Sequence, residues 1–171
     1  MFSSLCDIMQ YVSMSWQEVS ELLHTSIPLQ IKESGFHPEI IIAISRGGMV
    51  PARILSDALN VPVVYTIRIS FYSAVGIRKE TPEITQPLSV DISGKKVLLI
   101  DDISDSGNSL ALANKYLLSF NPSQIKTATI HFKPGSIFKP DYFYKTTNAW
   151  IVYPWETEEF YRETGKRVED L

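Results

Sequence analysis

Residues 97–110 of this 171-residue chain read Val97-Leu-Leu-Ile-Asp101-Asp102-Ile-Ser-Asp105-Ser-Gly-Asn-Ser-Leu110. The unbroken apolar run at the start is typical of a strand that is covered on both faces, and the acids begin where that run stops. Small residues follow, and after them comes an apolar segment that fits a buried helix. A strand, a hydroxyl-rich turn and a helix amino terminus together predict an anion-binding cradle.

Three carboxylates crowd this cradle, those of Asp101, Asp102 and Asp105. Carboxylates beside a cradle for phosphate are electrostatically unfavourable, so they are not expected if the turn is purely structural. They suit a ligand that carries hydroxyl groups, a metal ion and a phosphate together. The simpler alternative is a solvated acidic loop after a buried strand.

A second strand, turn and helix come earlier in the chain. Residues 39–44 form a mainly apolar, β-branched run, and residues 45–48 read Ser-Arg-Gly-Gly. A helix is predicted next, with Pro51 in its first turn and residues 52–59 continuing it. The glycines let backbone amides approach an anion, and Arg46 adds positive charge. This segment therefore predicts a second anion site.

The other segments continue the alternation of strands and helices. They are a helix opened by a capping box at Ser15 and Glu18, a strand at 63–71, a long loop or hairpin at 72–89, a strand at 126–132 and a last strand within 150–156. The alternation predicts an α/β domain with a mainly parallel sheet, and both anion-binding turns lie at strand carboxyl ends.

Composition narrows the possible partners. A net charge of -3 gives no basic surface of the kind that nucleic acids require. The single cysteine, Cys6, excludes an intrachain disulfide, and neither a signal peptide nor an apolar run of membrane-spanning length is found. We therefore expect one cytoplasmic domain whose partners are small molecules or copies of itself, with no nucleic acid and no membrane.

At its motifs the chain resembles the type I phosphoribosyltransferases. Residues 97–110 fill every position of that family's motif for phosphoribosyl pyrophosphate (PRPP), and residues 45–51 are similar to the pyrophosphate loop of xanthine–guanine phosphoribosyltransferases. The resemblance implies a single type I phosphoribosyltransferase domain over residues 1–171, with a mainly parallel central sheet flanked by helices and a small hood from the terminal segments. It also implies a mobile lid at 72–89 and a base-binding hood region at 133–156.

The resemblance further implies a purine salvage reaction. A 6-oxopurine, which is hypoxanthine, guanine or xanthine, would react with PRPP to give pyrophosphate and a purine nucleoside 5′-monophosphate. Asp105 would be the acid/base residue, while Asp101 and Asp102 would hold the ribose hydroxyls and Mg²⁺, directly or through water. The 5′-phosphate would bind to Asp105, Ser106, Gly107, Asn108 and Ser109, and pyrophosphate to Ser45, Arg46, Gly47 and Gly48. The resembling enzymes are dimers or tetramers, which implies a homodimer or homotetramer here.

Recognition of the base is implied by later residues. Lys133 resembles the lysine that donates to O6 of the purine, and an ammonium group, which has no acceptor, rejects the amino group of adenine. Trp150 and Ile151 match residues that border the purine, and Glu156 stands where the family has an Asp on the pocket or metal side. At the start of the lid the family has a Ser-Tyr or similar pair that meets PRPP; Ser70-Phe71-Tyr72 departs from the strict pair, and Ser70 and Tyr72 are the residues at that place.

Three alternatives stay open from the sequence. A non-enzymatic PRPP sensor would share the motif but should carry an added DNA-binding element. A phosphoacceptor receiver domain also has two acids after a strand, although near its amino terminus and without the following Asp-Ser-Gly-x-Ser. A phosphoribosyltransferase for orotate, adenine or uracil would keep the reaction and change the base.

Overall fold

Unbroken apolar runs form the central strands of the sheet in the computed structural model, which describes residues 10–72 and 81–171. In chain order the elements are β1 (Tyr11–Ser13), α1 (Trp16–His24), α2 (Ser26–Glu33), β2 (Ile40–Ser45), α3 (Met49–Ala58), β3 (Val64–Tyr72), β4 (Thr81–Gln86), β5 (Lys96–Ile100), β6 (Ile103–Ser104), α4 (Asn108–Leu118), β7 (Gln124–Phe132), β8 (Tyr142–Thr146), β9 (Trp150–Val152) and α5 (Thr157–Thr164). No helix among the described residues is both long enough and apolar enough to cross a membrane.

The chain divides into two units. The larger is Ser20–Thr147, and the smaller joins residues 10–19 to Asn148–Leu171. The predicted base-binding region, 133–156, is therefore split, because residues 133–147 belong to the larger unit and the rest belong to the smaller one.

The larger unit contains a seven-stranded sheet in the order β4-β3-β2-β5-β7, and both β6 and β8 also pair with β7. Every described pairing in it is parallel except that of β3 with β4. The prediction of an α/β domain with a mainly parallel sheet is confirmed. Since β2, β5 and β7 run in one direction, the residues that follow them lie at one edge of the sheet.

The core lies against the middle of this sheet. All residues of β5 from Val97 to Ile100 are fully buried, as expected for a strand covered on both faces. Val97 and Leu99 pack in one cluster with Ile42 of β2 and with Leu110 and Leu117 of α4. This packing fixes the start of α4 relative to the end of β5.

The predicted first helix has the interruption that Pro28 makes expected, since it is two helices that separate at Thr25. Pro28 has no amide hydrogen, and its ring crowds the carbonyl of the residue four positions earlier, His24. The predicted capping box is present: the Ser15 amide donates to Glu18 Oε2 at 2.7 Å, and the Glu18 amide donates to Ser15 Oγ at 3.2 Å.

The segment at 72–89 is in part a hairpin, since β4 pairs antiparallel with β3. The predicted lid thus includes β4, while its residues 73–80 lie outside the described part of the chain.

In the smaller unit, β1 and β9 form a parallel pair that the Met14 amide extends by donating to the Val152 carbonyl at 3.1 Å. The rings of Tyr153 and Trp155 stack with centroids 4.8 Å apart. The Phe160 ring of α5 meets Tyr11 edge-on, at 5.1 Å between centroids. Part of the charge-rich segment 157–171 is therefore a helix anchored by a buried aromatic residue, Phe160.

Candidate active site

Asp101 and Asp102 follow β5 and are buried, with 8% and 7% of their surfaces exposed. The Asp102 amide donates to Asp101 Oδ1 at 3.0 Å, and the Ile103 amide donates to Asp102 Oδ1 at 2.7 Å. The Ile130 amide of β7 donates to the Asp102 carbonyl at 2.8 Å. Backbone amides and the neighbouring strand therefore hold both acids in place.

Burial changes the chemistry of this pair. Removal from water raises the pKa of Asp102 to about 6, although hydrogen bonds to its carboxylate, the one from the Ile103 amide above all, act in the opposite direction. Because the ionised form of Asp102 is unfavourable without a partner, binding of a cation or of hydroxyl donors beside it would be favourable.

The loop at 45–48 follows β2, which lies next to β5 in the sheet. A Cβ atom on Gly47 would overlap the Asp102 carboxylate, and one on Gly48 would stand 2.8 Å from the Ile44 carbonyl oxygen. Both positions therefore require glycine because neighbouring atoms leave no room for a side chain. The Ser45–Arg46 peptide bond is cis, and Arg46 is exposed. The structure thus brings the first loop and the acid pair into contact.

The second loop, 105–109, leads into α4. Gly107 is left-handed, with φ of 82°, and α4 begins at the next residue. Asn108 donates to Ser106 Oγ from its side chain at 3.1 Å and from its backbone at 3.4 Å. The N–H groups in the first turn of a helix have no acceptor within that helix, so that of Ser109 is suited to an anion.

Lys133 follows β7, and its side chain forms an ion pair with that of Asp105. Lys133 Nζ lies 3.0 Å from Asp105 Oδ1, with 19% and 53% of the two side chains exposed. The sequence predicted both residues as functional but did not predict this pairing. It arises because the ends of β6 and β7 are neighbours.

The other predicted site residues are placed as follows. Ser70 Oγ lies 3.1 Å from Thr85 Oγ1 of β4, and Tyr72 ends β3, its side chain being outside the described part. Trp150, which is exposed, and Ile151, which is buried, lie on β9 of the smaller unit, and Glu156 precedes α5 there. Their contacts with the purine stay predictions. Among residues 10–72 and 81–171, no three His, Cys, Asp or Glu side chains gather as a metal site.

Two groups near the acids were not predicted. His131 of β7 is 4% exposed, its amide donates to the Asp102 carbonyl at 3.2 Å, and burial lowers the pKa of its ring to about 4, with a smaller effect from the Lys145 charge. Ser104 and Ser136 form a hydroxyl contact at 2.8 Å behind the second loop. The only signal in the sequence was the position of Ser104 inside the motif, where any residue is accepted.

An α/β sheet with two glycine-containing loops and a buried acid pair at one edge is typical of proteins that bind nucleotides or sugar phosphates. The phosphoribosyl transferase domain family matches residues 18–162, and the chain belongs to that family. A curated relative, the xanthine-guanine phosphoribosyltransferase of Idiomarina loihiensis, is 30% identical over 155 residues, covering 87% of this chain and 89% of the relative.

Solved structures agree with the sequence relatives. A purine phosphoribosyltransferase from Pyrococcus horikoshii superimposes with a TM-score of 0.76 at 32% identity, covering 86% of this chain and 94% of that one. The xanthine-guanine-hypoxanthine phosphoribosyltransferase of Helicobacter pylori gives 0.78 at 25% identity, covering 91% and 99%. The predicted resemblance and the predicted fold are confirmed.

Proposed function

We propose that the protein is a purine salvage enzyme that transfers the 5-phosphoribosyl group of PRPP to a 6-oxopurine. The observation that carries this proposal is the ion pair between Lys133 and Asp105, whose charged atoms are 3.0 Å apart beside the second loop. The names of the xanthine-guanine relatives support the same class of substrate.

The pair complements one edge of a 6-oxopurine. On guanine, O6 and N7 lie side by side on this edge. The Lys133 ammonium can donate to O6, and the Asp105 carboxylate can accept the proton of N7–H. Adenine presents an amino group in place of O6, so it would place donor against donor. The edge therefore selects for 6-oxopurines, and it does not choose among hypoxanthine, guanine and xanthine.

The acid pair is the candidate site for the ribose and for Mg²⁺. Mg²⁺ prefers oxygen ligands and is commonly held by one or two carboxylates together with substrate phosphates. Asp101 and Asp102 fit that role, since they are buried, adjacent and limited to oxygen donors. When bound, the ion would supply positive charge against the charge that develops on pyrophosphate.

The two loops would bind the two ends of PRPP. The amides at 105–109 and the start of α4 would receive the 5′-phosphate, while Arg46 and the amides of Gly47 and Gly48 would receive pyrophosphate. Because Gly47 contacts Asp102, pyrophosphate and the ribose hydroxyls would be fixed relative to each other.

Asp105 would act as the general base. Its carboxylate takes the proton from N7, the electron density at N9 rises, N9 bonds to C1′ of the ribose, and the bond from C1′ to pyrophosphate breaks. Charge on the ribose is positive in the transition state, which the nearby Asp101 and Asp102 carboxylates favour.

The decisive assay uses the purified protein with PRPP and Mg²⁺ against hypoxanthine, guanine, xanthine and adenine separately. We expect turnover with at least one 6-oxopurine and the slowest turnover with adenine. Faster turnover of adenine would overturn the role given to Lys133. PRPP binding without turnover of any base would favour the sensor alternative.

A further inference from the structure

The turn that carries Lys133 is hydrogen-bonded to the second loop. The Lys133 amide donates to the Ser104 carbonyl at 3.0 Å, and the Ile137 amide donates to the Ser106 carbonyl at 3.0 Å. The turn is closed on itself by the Ser136 amide, which donates to the Lys133 carbonyl at 2.9 Å. The backbone that presents the lysine is therefore joined to the phosphate loop on both sides of the turn.

Two serine hydroxyls complete this connection, and we call the group formed by Ser104, Ser136 and Phe138 the hydroxyl bridge. Ser104 Oγ lies 2.7 Å from the Phe138 carbonyl oxygen and 2.8 Å from Ser136 Oγ. The Phe138 amide lies 3.3 Å from Ser136 Oγ, and Ser136 Oγ lies 3.1 Å from the Phe138 carbonyl.

Each hydroxyl has one proton, so each serine can donate only one of these contacts at a time. The shortest contact is used when Ser104 donates to the Phe138 carbonyl. Ser136 then donates to Ser104 Oγ, and the Phe138 amide donates to Ser136 Oγ. This closed ring gives every proton an acceptor, and a change at either serine opens it.

Packing locates the bridge directly behind the phosphate loop. Ser104 is 1% exposed, and the Phe138 ring packs against the core cluster that contains Leu110 of α4. A Cβ atom on Gly107 would overlap Ser136 Oγ, so the serine fills the space that the glycine leaves. The bridge is thus held between the core and the loop.

We propose that Ser136 and Ser104 are positioning residues for the reaction. Their bridge fixes the turn at 133–138 against the loop at 105–109, so that one rigid unit sets both the seat of the 5′-phosphate and the reach of Lys133 toward the base. This inference rests on the proposed function. Loss of the bridge should weaken the binding of PRPP and of the base together.

The test compares Ser136→Ala, Ser104→Ala and the double variant with wild type by steady-state kinetics. We expect the KM for PRPP and the KM for the preferred base each to rise about tenfold in Ser136→Ala, the size of one lost hydrogen bond, with a smaller change in kcat. Because the bridge is one ring, the double variant should be no worse than either single variant.

Ser56→Ala is the matched control. Ser56 is also buried, and its hydroxyl donates to the Val61 carbonyl at 2.8 Å, between α3 and β3. It should lower the melting temperature as Ser136→Ala does and leave both KM values at the wild-type level. Unchanged KM values in a folded Ser136→Ala, additive losses in the double variant, or equal KM changes in Ser56→Ala would each overturn the proposal.

A direct binding measurement separates the two proposals. If wild type turns over no base, the proposed function fails, and calorimetry with guanosine and guanosine 5′-monophosphate tests the bridge. In wild type, the ratio of the affinity for guanosine 5′-monophosphate to that for guanosine measures the contribution of the 5′-phosphate. This ratio should be about tenfold smaller in Ser136→Ala. An unchanged ratio would overturn the positioning role.

Discussion

Asp105 combines exposure with a close cation, Lys133, which suits a residue that must exchange a proton with a ligand. More than half of its side chain is exposed, at 53%, while its partner Lys133 is largely covered, at 19%. A group of this kind can meet a base that enters from solvent. Asp101 and Asp102 are instead buried and held by amides, which suits residues that bind without exchanging protons.

We predict that Asp105→Asn binds PRPP as wild type does and turns over the base about a hundredfold more slowly, because the amide cannot accept the N7 proton. Calorimetry gives the first quantity and a spectrophotometric assay the second. Asp91→Asn is the control, since Asp91 is exposed and caps a turn by accepting from the Ser93 amide. Wild-type turnover in Asp105→Asn would show that Asp105 is not the general base.

Burial of the Asp102 carboxyl in the candidate binding site is expected to lower the free energy of unfolding. Its folded pKa of about 6 is above the ordinary value of 3.8, so the unfolded chain ionises it first and stability is lost as pH rises from about 4 to 6. Asp102→Asn removes this titration. At pH 7.5 its free energy of unfolding, measured with urea, should be higher than that of wild type by up to about 3 kcal/mol. The variant should no longer bind PRPP. Equal stability of the two proteins at pH 7.5 and at pH 4 would contradict the prediction.

At this scale the sequence predicted the separate acids and the lysine, because each occupies a recognisable motif position. It did not predict how they pair. The contact of Lys133 with Asp105 and that of Ser104 with Ser136 depend on the neighbouring ends of β6 and β7. Serine in a turn is so common that Ser136 carried no signal of its own.

Among the elements, the strand-to-loop junctions matter most for the site. The loop after β2 and the acids after β5 are in contact because those strands are neighbours and parallel. Gly47 is the point of contact, where only a hydrogen atom fits against the Asp102 carboxylate.

Gly47→Ala should therefore displace the loop or the acid. Overpacking of this kind costs about 1–3 kcal/mol, and we expect the KM for PRPP to rise with little change in the KM for the base. Gly35→Ala is the control, because Gly35 has φ of 74° but open space around it. It should lose about 1 kcal/mol from backbone strain and keep the wild-type KM for PRPP. An unchanged KM for PRPP in Gly47→Ala would show that the contact has no functional role.

The elements themselves were mostly predictable, including the break that Pro28 makes in the first helix, because its ring excludes the preceding turn. Residues 126–132 alternate between apolar and polar in the sequence, which predicts one exposed face, yet Thr127, Thr129 and His131 on that face of β7 are buried as well. The sequence pattern treats such residues as polar. In the structure, the Thr127 hydroxyl donates to Asp141 Oδ2 at 2.9 Å and the Thr129 hydroxyl to the His131 carbonyl at 2.8 Å.

For the whole chain, the family, the sheet and a small part built from the terminal segments were predicted from the sequence, and the strand pairing that builds that part was not. The smaller unit depends on β1 pairing with β9, two short strands near opposite ends of the chain. Neither strand is long enough to show a recognisable alternation of apolar and polar residues. The predicted region 133–156 therefore crosses a boundary that only long-range pairing creates.

The stability of the molecule should respond to pH through two buried groups of opposite sign. His131 has a folded pKa of about 4, below its ordinary value of 6.5, so the unfolded chain binds its proton first and stability is lost as pH falls from about 6.5 to 4. Asp102 contributes in the opposite direction over nearly the same range, because its pKa is raised to about 6. Each effect is about 3 kcal/mol when complete, so the two largely offset each other in the wild type.

Substituting one of these two groups should make the pH dependence that the other contributes measurable. Between pH 7 and pH 4.5, Asp102→Asn should lose about 2–3 kcal/mol more stability than wild type, and His131→Gln should lose about 2–3 kcal/mol less. Urea denaturation at several pH values measures these slopes, and because each variant is compared with itself, a general loss of stability in His131→Gln does not affect the result. Carboxylates such as Glu18, whose pKa is lowered by hydrogen bonds from Ser15, contribute the same slope to all three proteins and cancel in the differences. Parallel slopes for the three proteins would mean that neither group keeps its neutral form in the folded state, and the electrostatic description of the acid pair would then have to be given up.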